Sequence, residues 1–542
     1  MNVRSLGRSY SIIYLMPSQA AMWHKGAMRW GFCGGLAVFL LFLAGVASAA
    51  PRLERERCVF KPPRGDKIEC YTLVVQENRA QGQNSRDVNL KVAILKAKRP
   101  IAADPVIYLA GGPGDSPLVA STAGADPLAE GDWWNDTATI RRRRDVIIVS
   151  QRGAGGSLPN LDCFEPRNSE PARAKRRAIT EPQERDILLR CRAEFDKRKI
   201  DLAQYGTPAL ADDVADLVKL LGLGKVNLYG ISYGTRWALE VMRRHPNIVR
   251  STVLDGVYPP QVNGEQNEPE IVRTAFEQLY AECAADKLCR ERNPDLANNV
   301  KALIEQADRK PVELTLQLDD SQQRVKLDGA KLLLVLLHMM REGEAALLPE
   351  AVTALKRGDK RLIKQFAEDL ENDDGGLLEQ NAQQFGGLFN TIECRETWAS
   401  VDQAARDRAI QTGGVYGLSA TLSKLPAYCP VWRVPTAPAS ERQAVTAPIP
   451  TLLLSGGYDW LTPPDWGREA AKRLPDSRHV IFRSAGHGVS SQDACAARLR
   501  DEFIDDPNTR WPLPCRADSP PDFNAAAERV KALSPRDGDR RE

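Results

Sequence analysis

The chain has 542 residues, 43% of them hydrophobic, with 74 Lys and Arg against 71 Asp and Glu and a formal net charge of +3. That length and apolar content suffice for a large core and more than one structural unit. Near-balanced charge with no basic face or tail sets nucleic acid aside as a partner, and the basic run Arg141-Arg142-Arg143-Arg144, just ahead of an apolar strand, reads as a solvated strand entrance.

In chain order, the first signal is a leader. Lys25 and Arg29 precede an apolar run at 30–46, and Ala47-Ser48-Ala49 supplies small residues at the cleavage positions. A secretory signal peptide is expected over 1–50, hence an exported protein, periplasmic or extracellular, with no stable membrane insertion after cleavage. Cysteine usage agrees. Cys33 lies in the leader, and the ten that remain are expected to close five bridges between sequence neighbours: Cys58 with Cys70, Cys163 with Cys191, Cys283 with Cys289, Cys394 with Cys429, and Cys495 with Cys515. With no Cys-x-x-Cys and five histidines in all, neither a metal nor a cofactor is expected.

The mature chain begins with an antiparallel hairpin pattern at 71–75 and 88–95. Short, nearly continuous apolar runs follow at 105–109, 146–149, 226–229, 252–254, 451–454 and 480–482, as strands buried on both faces of a parallel sheet would read. Helical patterns separate several of them, which predicts an α/β fold. The core is expected over 51–257 and again over 436–520. Between them, 258–435 reads as a mostly helical cap with one hairpin at 312–325 and with Pro269 and Pro349 in first helical turns. A polar tail at 521–542 is expected to fray.

The stretch Val226-Asn227-Leu228-Tyr229-Gly230-Ile231-Ser232-Tyr233-Gly234-Thr235 carries the chemistry. An apolar run ends in Gly-x-Ser-x-Gly and a helical pattern follows at once, the setting of a nucleophile elbow with Ser232 at the strand end. A serine hydroxyl needs a histidine base and a carboxylate to orient it, here in the order Ser, acid, His. Asp459 closes the strand pattern after Thr451, and His487 closes the next, between Gly486 and Gly488. Asp465 reads instead as a first-turn acid of the following helix, and His24, His245, His338 and His479 are less well placed. For the oxyanion, the N–H of Tyr233 and of Gly112 are the candidates, with Gly111 in reserve.

Taken together, Gly111-Gly112-Pro113-Gly114, Ser150-Gln151-Arg152-Gly153-Ala154-Gly155-Gly156-Ser157, Gly230-Ile231-Ser232-Tyr233-Gly234-Thr235, Asp459-Trp460-Leu461-Thr462-Pro463 and Gly486-His487-Gly488 resemble the motif series of the prolyl aminopeptidase and tripeptidyl aminopeptidase family of α/β-hydrolases. The region of Cys495 and Cys515 is similar to the C-terminal part of the larger, exported members. Two positions depart from the family pattern: Ala110 stands for a histidine and Ser150 for an aspartate. The resemblance implies an α/β-hydrolase fold with an inserted helical cap, and release of proline or short peptides from peptide substrates with a free N-terminus. A carboxylesterase on the same scaffold, or a non-catalytic binding protein, are the alternatives. An aminopeptidase must hold an ammonium group, which calls for a carboxylate. In the cap segment Thr391-Ile392-Glu393-Cys394-Arg395-Glu396-Thr397-Trp398, Glu396 is the first candidate and Glu393 the second.

Overall fold

The computed structural model describes residues 51–533 apart from 61, 103, 116, 119–131, 164–180, 319–320, 374–385, 509–514 and 516. The expected leader at 1–50 lies outside the described residues.

The strands are β1 Arg52–Glu56, β2 Ile68–Gln76, β3 Asp87–Leu95, β4 Val106–Leu109, β5 Val146–Val149, β6 Val226–Ile231, β7 Val249–Asp255, β8 Val312–Leu318, β9 Ser321–Leu327, β10 Thr451–Gly456 and β11 Ser477–Phe482. Nine of them form one sheet in the order β1-β2-β3-β5-β4-β6-β7-β10-β11. β1, β2, β3 and β5 pair antiparallel, and from β5 to β11 all neighbours are parallel. The apolar runs explain this division: β4, β5 and β10 are buried at every position, as strands covered by helices on both faces must be. β1 was not legible, because Arg-Leu-Glu-Arg-Glu is the mostly exposed sequence of a charged sheet edge.

Between β7 and β10 the chain leaves the sheet. Helices Gly264–Ala285, Leu296–Arg309, Gly329–Arg341, Leu348–Lys356 and Arg361–Asp373, with the antiparallel pair β8/β9, enclose their own apolar cluster. Gly329–Arg341 is its axis. Every residue from Leu332 to Met340 is buried, and a helix apolar all round belongs inside a core. Pro269 is not in a first turn as expected: the Asn263 side chain caps Gln266, so the helix starts earlier and carries the proline inside it.

Two further expectations are corrected. Of the four arginines expected to form a solvated entrance, Arg142 and Arg143 are exposed but Arg141 and Arg144 are buried. Arg141 lies over the Trp134 ring at 3.4 Å, and the buried Arg144 pairs with Asp104 and Asp505. The end of the chain is not a fraying polar tail, since Phe523–Leu533 is a helix. Phe523, Ala526, Ala527 and Val530 recur at helical spacing, and Phe523, Ala526 and Val530 pack on the cap cluster. The last residues, 534–542, lie outside the described set.

All five disulfides pair as expected from the sequence: Cys58–Cys70, Cys163–Cys191, Cys283–Cys289, Cys394–Cys429 and Cys495–Cys515. Among the described residues, no helix is long and apolar enough to cross a membrane.

Candidate active site

β6 delivers the chain to Ser232, which adopts φ 56° and ψ −125°, a region that non-glycine residues enter only under constraint. The constraint is close packing. A Cβ on Gly234 would stand 2.0 Å from the Leu109 carbonyl oxygen, and one on Gly230 would stand 2.4 Å from that of Gly234. Only glycine lets β4 and the helix Tyr233–Arg244 approach the turn from both sides. Hydrogen bonds then hold the strained residue: its N–H donates to the Asp255 carbonyl at 2.9 Å, and its carbonyl accepts the Thr235 hydroxyl at 2.6 Å.

Tyr233 opens the helix, so its N–H has no carbonyl one turn back to bond. Facing the serine is the loop after β4. A Cβ on Gly111 would lie 3.2 Å from that of Ser232, and Gly112 follows with φ +100°. Gln151 braces this loop from beneath. Its amide nitrogen donates to Gly111 O at 2.8 Å, and its Oε1 accepts the Gly114 N–H at 3.0 Å. Arg152 is spent structurally, in a buried pair with Asp213.

Asp459 and His487, ending the β10 and β11 segments, come together. His487 Nδ1 lies 2.8 Å from Asp459 Oδ2. Asp459 is itself fixed by the Leu461 N–H at 3.0 Å, the Thr462 N–H at 2.8 Å and the Thr462 hydroxyl at 2.6 Å. A carboxylate can only accept, so Nδ1 carries the proton and Nε2 keeps its lone pair. Burial disfavours the imidazolium, but the charge and hydrogen bond of Asp459 outweigh it and hold His487 above the usual histidine range. The reserve acid does not join this group: Asp465 is exposed and pairs with Arg468. His245 pairs with Asp212, and His479 with Ser455.

The cap reaches both loops of this pair. The Arg341 carbonyl, at the end of helix Gly329–Arg341, accepts the His487 N–H at 2.8 Å, and the Leu337 carbonyl accepts the Trp460 indole N–H at 2.9 Å. Gln492 adds a splint, accepting the Gly486 N–H and donating to the carbonyls of Arg341 and His487, each at 2.8 Å.

The second cap contribution is the segment Gly387–Ile392, which runs into a π-helical turn at Glu393–Thr397 tied down by Cys394–Cys429. Its five residues are all buried, and such turns recur at functional sites. The two acids there differ. Burial raises the carboxyl of Glu396 too, but it is held by direct bonds: it accepts the Thr207 N–H at 2.7 Å and hydroxyl at 2.6 Å, and Thr207 Oγ1 lies 2.8 Å from the Tyr233 hydroxyl. It therefore anchors the residue that follows the serine.

Glu393 is less compensated. Burial raises its carboxyl to about 7, against the pull of Arg236 and a hydrogen bond from Thr397, with Glu265 and Glu396 adding repulsion. Glu268 is raised to about 8 by burial and by Glu265. Arg236, on the turn after the serine, lies 3.7 Å over the Tyr258 ring, which stacks on Trp466. A small cavity bounded by Thr207, Arg236, Glu240, Pro260, Glu396 and Glu441 lies on the Glu396 side, and neither Ser232 nor His487 lines it. Gln151 lies in the Ser150–Ser157 motif, whereas Asp255, Gln492, Glu265 and Glu268 belong to none of the motifs. Of these only Asp255 carried a usable signal, as an acid closing a strand run like Asp459.

A family model described as alpha/beta hydrolase fold matches residues 104–302, and one described as TAP-like protein matches residues 415–512. The first spans Gly112, Ser232 and Tyr233, and the second spans Asp459 and His487. Similar proteins include the serine protease Hip1 of Mycobacterium tuberculosis, 24% identical over 422 residues that cover 73% of this chain and 76% of that protein. The tripeptidyl aminopeptidase of Streptomyces lividans is 25% identical over 416 residues, 71% of each chain. With a mixed sheet carrying a strained Gly-x-Ser-x-Gly turn, and with the stretches around Ser232 and around Asp459 and His487 both matched, the chain is a serine hydrolase of the α/β-hydrolase fold.

Proposed function

We propose that the protein is an exported serine aminopeptidase that releases proline or short peptides from peptides with a free N-terminus, through a Ser232–His487–Asp459 triad. Ser232 Oγ attacks the carbonyl carbon while His487 Nε2 takes its proton, and Asp459 holds the imidazolium through Nδ1–H. The Gly112 and Tyr233 N–H groups face the oxygen on which negative charge develops. Collapse breaks the C–N bond, His487 returns the proton to the leaving amine, and water, deprotonated by the same histidine, frees the acyl group from Ser232.

The observation that carries the peptidase reading is the group of cap acids, Glu393 buried near Arg236 and Glu265 and Glu268 half-buried near Arg406, whose carboxyls are all raised by burial. A substrate ammonium would supply positive charge there. Glu393 is the principal amine ligand in this reading, and Glu396 supports Tyr233 through Thr207. The names of the two relatives, a serine protease and a tripeptidyl aminopeptidase, agree with it, and the expected leader and the five disulfides fit an exported protein.

The test is a panel of aminoacyl and tripeptidyl amides, each with an N-blocked counterpart, run on wild type and Ser232→Ala. Turnover of free-amine substrates, abolished in Ser232→Ala together with fluorophosphonate labelling, is expected. Hydrolysis of aryl esters with no preference for a free amine would overturn the aminopeptidase reading in favour of an esterase.

A further inference from the structure

Asp255 is the last residue of β7 and has no exposed surface. An unpaired charge so deep would cost several kcal/mol, and this one is satisfied in a particular way. Its Oδ1 accepts the Val489 N–H at 2.8 Å, and its Oδ2 accepts the Ser490 N–H at 2.8 Å and the Ser490 hydroxyl at 2.5 Å. Burial raises the Asp255 carboxyl above the usual aspartate range, and three donors on two oxygens, with His487, pull the other way, toward the ionised form. All three belong to the residues immediately past His487-Gly488. The backbone of Asp255 faces the other way, its carbonyl accepting the Ser232 N–H at 2.9 Å. One residue therefore holds the serine with its main chain and the histidine's loop with its side chain.

The neighbours close the frame. Gly256 takes φ +68°, and a Cβ there would lie 3.1 Å from His487 Cε1, so the chain after Asp255 passes directly against the imidazole. Ser490 Oγ lies 2.7 Å from the hydroxyl of Tyr229, three residues before the serine on β6, and Arg500 donates to that hydroxyl at 3.2 Å.

We propose that Asp255 is a second carboxylate of the catalytic machinery: a positioning residue that locks the serine's strand and the histidine's loop into one frame and sets a carboxylate whose charge favours the imidazolium. This rests on the serine-hydrolase reading above. Asp459 orients the ring through Nδ1, whereas Asp255 fixes the chain that follows it, at Val489 and Ser490. The charged groups that act on His487 are Asp459 and Asp255, which favour its protonated form, and Arg341, which opposes it. Asp136 and Arg500 lie around the Tyr229 hydroxyl at the back of the same network.

The experiment compares wild type, Asp255→Asn, Ser490→Ala and Ser491→Ala as full mature chains. It measures kcat, KM and the pH profile of kcat/KM on the best amide substrate, the rate of fluorophosphonate labelling, and the folded fraction by circular dichroism. Ser491 is the control, since its hydroxyl bonds Asp136 and not Asp255. Asp255→Asn keeps the shape but turns an NH2 group toward backbone N–H donors, and kcat is expected to fall about 100-fold with KM within about twofold. The acidic limb of kcat/KM moves to lower pH by about half a unit or more, because the imidazolium has lost a stabilising charge. A purely structural role would leave that limb in place. An unmoved limb, or an activity loss that only follows the folded fraction, overturns the assignment. If Asp255→Asn does not fold, the serine pair decides: slower labelling by Ser490→Ala than by Ser491→Ala supports the frame, and equal rates overturn it. A wild type that neither turns over an amide nor takes the label overturns the serine-hydrolase reading itself, whereas an active wild type with these variants unchanged overturns the Asp255 assignment alone.

Discussion

Among the carboxylates of the described residues, those at the C-terminal ends of the sheet strands and those in the cap are treated differently. At the sheet, Asp459 accepts from two backbone N–H groups, a hydroxyl and an imidazole, and Asp255 accepts from two N–H groups and a hydroxyl. Their partners are all within the protein. In the cap, burial holds Glu393 near 7 and Glu268 near 8, and each has another acid beside it. Arg236 and Arg406 pull these carboxyls down without cancelling the burial. Acids held by several donors belong to a frame that is finished before substrate arrives, even where burial also raises the carboxyl, as it does for Asp255. Under-compensated acids cost stability until a cation joins them, the trade that binding sites commonly make.

The contrast can be broken by experiments that separate the two sets. Ser232→Ala sets the floor: kcat is expected to drop by about 10⁴-fold or more on every substrate. Asp459→Asn comes next, losing about 10³- to 10⁴-fold in kcat on free-amine and N-blocked substrates alike, because the ring is left in the wrong tautomer. Equal losses across the panel mark an acid of the frame.

Glu393→Gln should act on only half of the panel. KM for free-amine substrates is expected to rise about 10- to 100-fold, the value of one charge-assisted contact, with N-blocked substrates unaffected. An equal loss on both would move Glu393 into the frame and erase the distinction. Wild type should show the same difference in its pH profile. As pH falls through about 7, Glu393 takes up a proton, so the preference for free-amine over blocked substrates should decline, with the titration of His487 cancelling in the ratio.

Stability supplies a sharper version. Because the Glu393 pKa is raised from the model-compound value of 4.5 to about 7, the folded state binds the extra proton between those pH values. Its contribution to stability is therefore full below about 4.5 and is lost as pH rises through 7. Glu393→Gln should gain about 1–3 kcal/mol over wild type in denaturant unfolding at pH 8 and show no such gain at pH 4. The smallest effect on catalysis belongs to the C-terminal helix. Truncation after Asp522 should cost roughly 3 kcal/mol of stability through the loss of buried Phe523, with kcat within about twofold of wild type.

The contrast between the two sets also separates what the sequence makes legible from what it does not. β4, β5, β6, β7 and β10 announce themselves because strands buried on both faces must be apolar throughout, and Ser232, Asp459 and His487 follow from where those runs end. Cysteine neighbours announce the five bridges. The cap acids do not sort themselves in this way. Glu393 and Glu396 sit three apart beside one cysteine, and which of them is saturated depends on Thr207, almost two hundred residues earlier, and on a π-helical turn with no composition signal. β1 is hidden by its charges, and the C-terminal helix by the polar residues between its four apolar positions. Arg141 and Arg144 mislead for the opposite reason, since their partners, the Trp134 ring and Asp505, are supplied by the fold.

The bond from the His487 N–H to the Arg341 carbonyl has a consequence for how such proteins can be altered. A part that chooses substrates is often thought of as interchangeable, a cover to be exchanged between relatives while the engine beneath is kept. Here the end of a cap helix is one of the mounts of His487, the proposed general base, and the Trp460 indole ties the Asp459 loop to the same helix. A transplanted cap whose helix ended half a turn early would misplace the imidazole as well as the peptide. Exchanges of this region must carry the Arg341 helix end with them, or leave it in place and vary only what lies beyond.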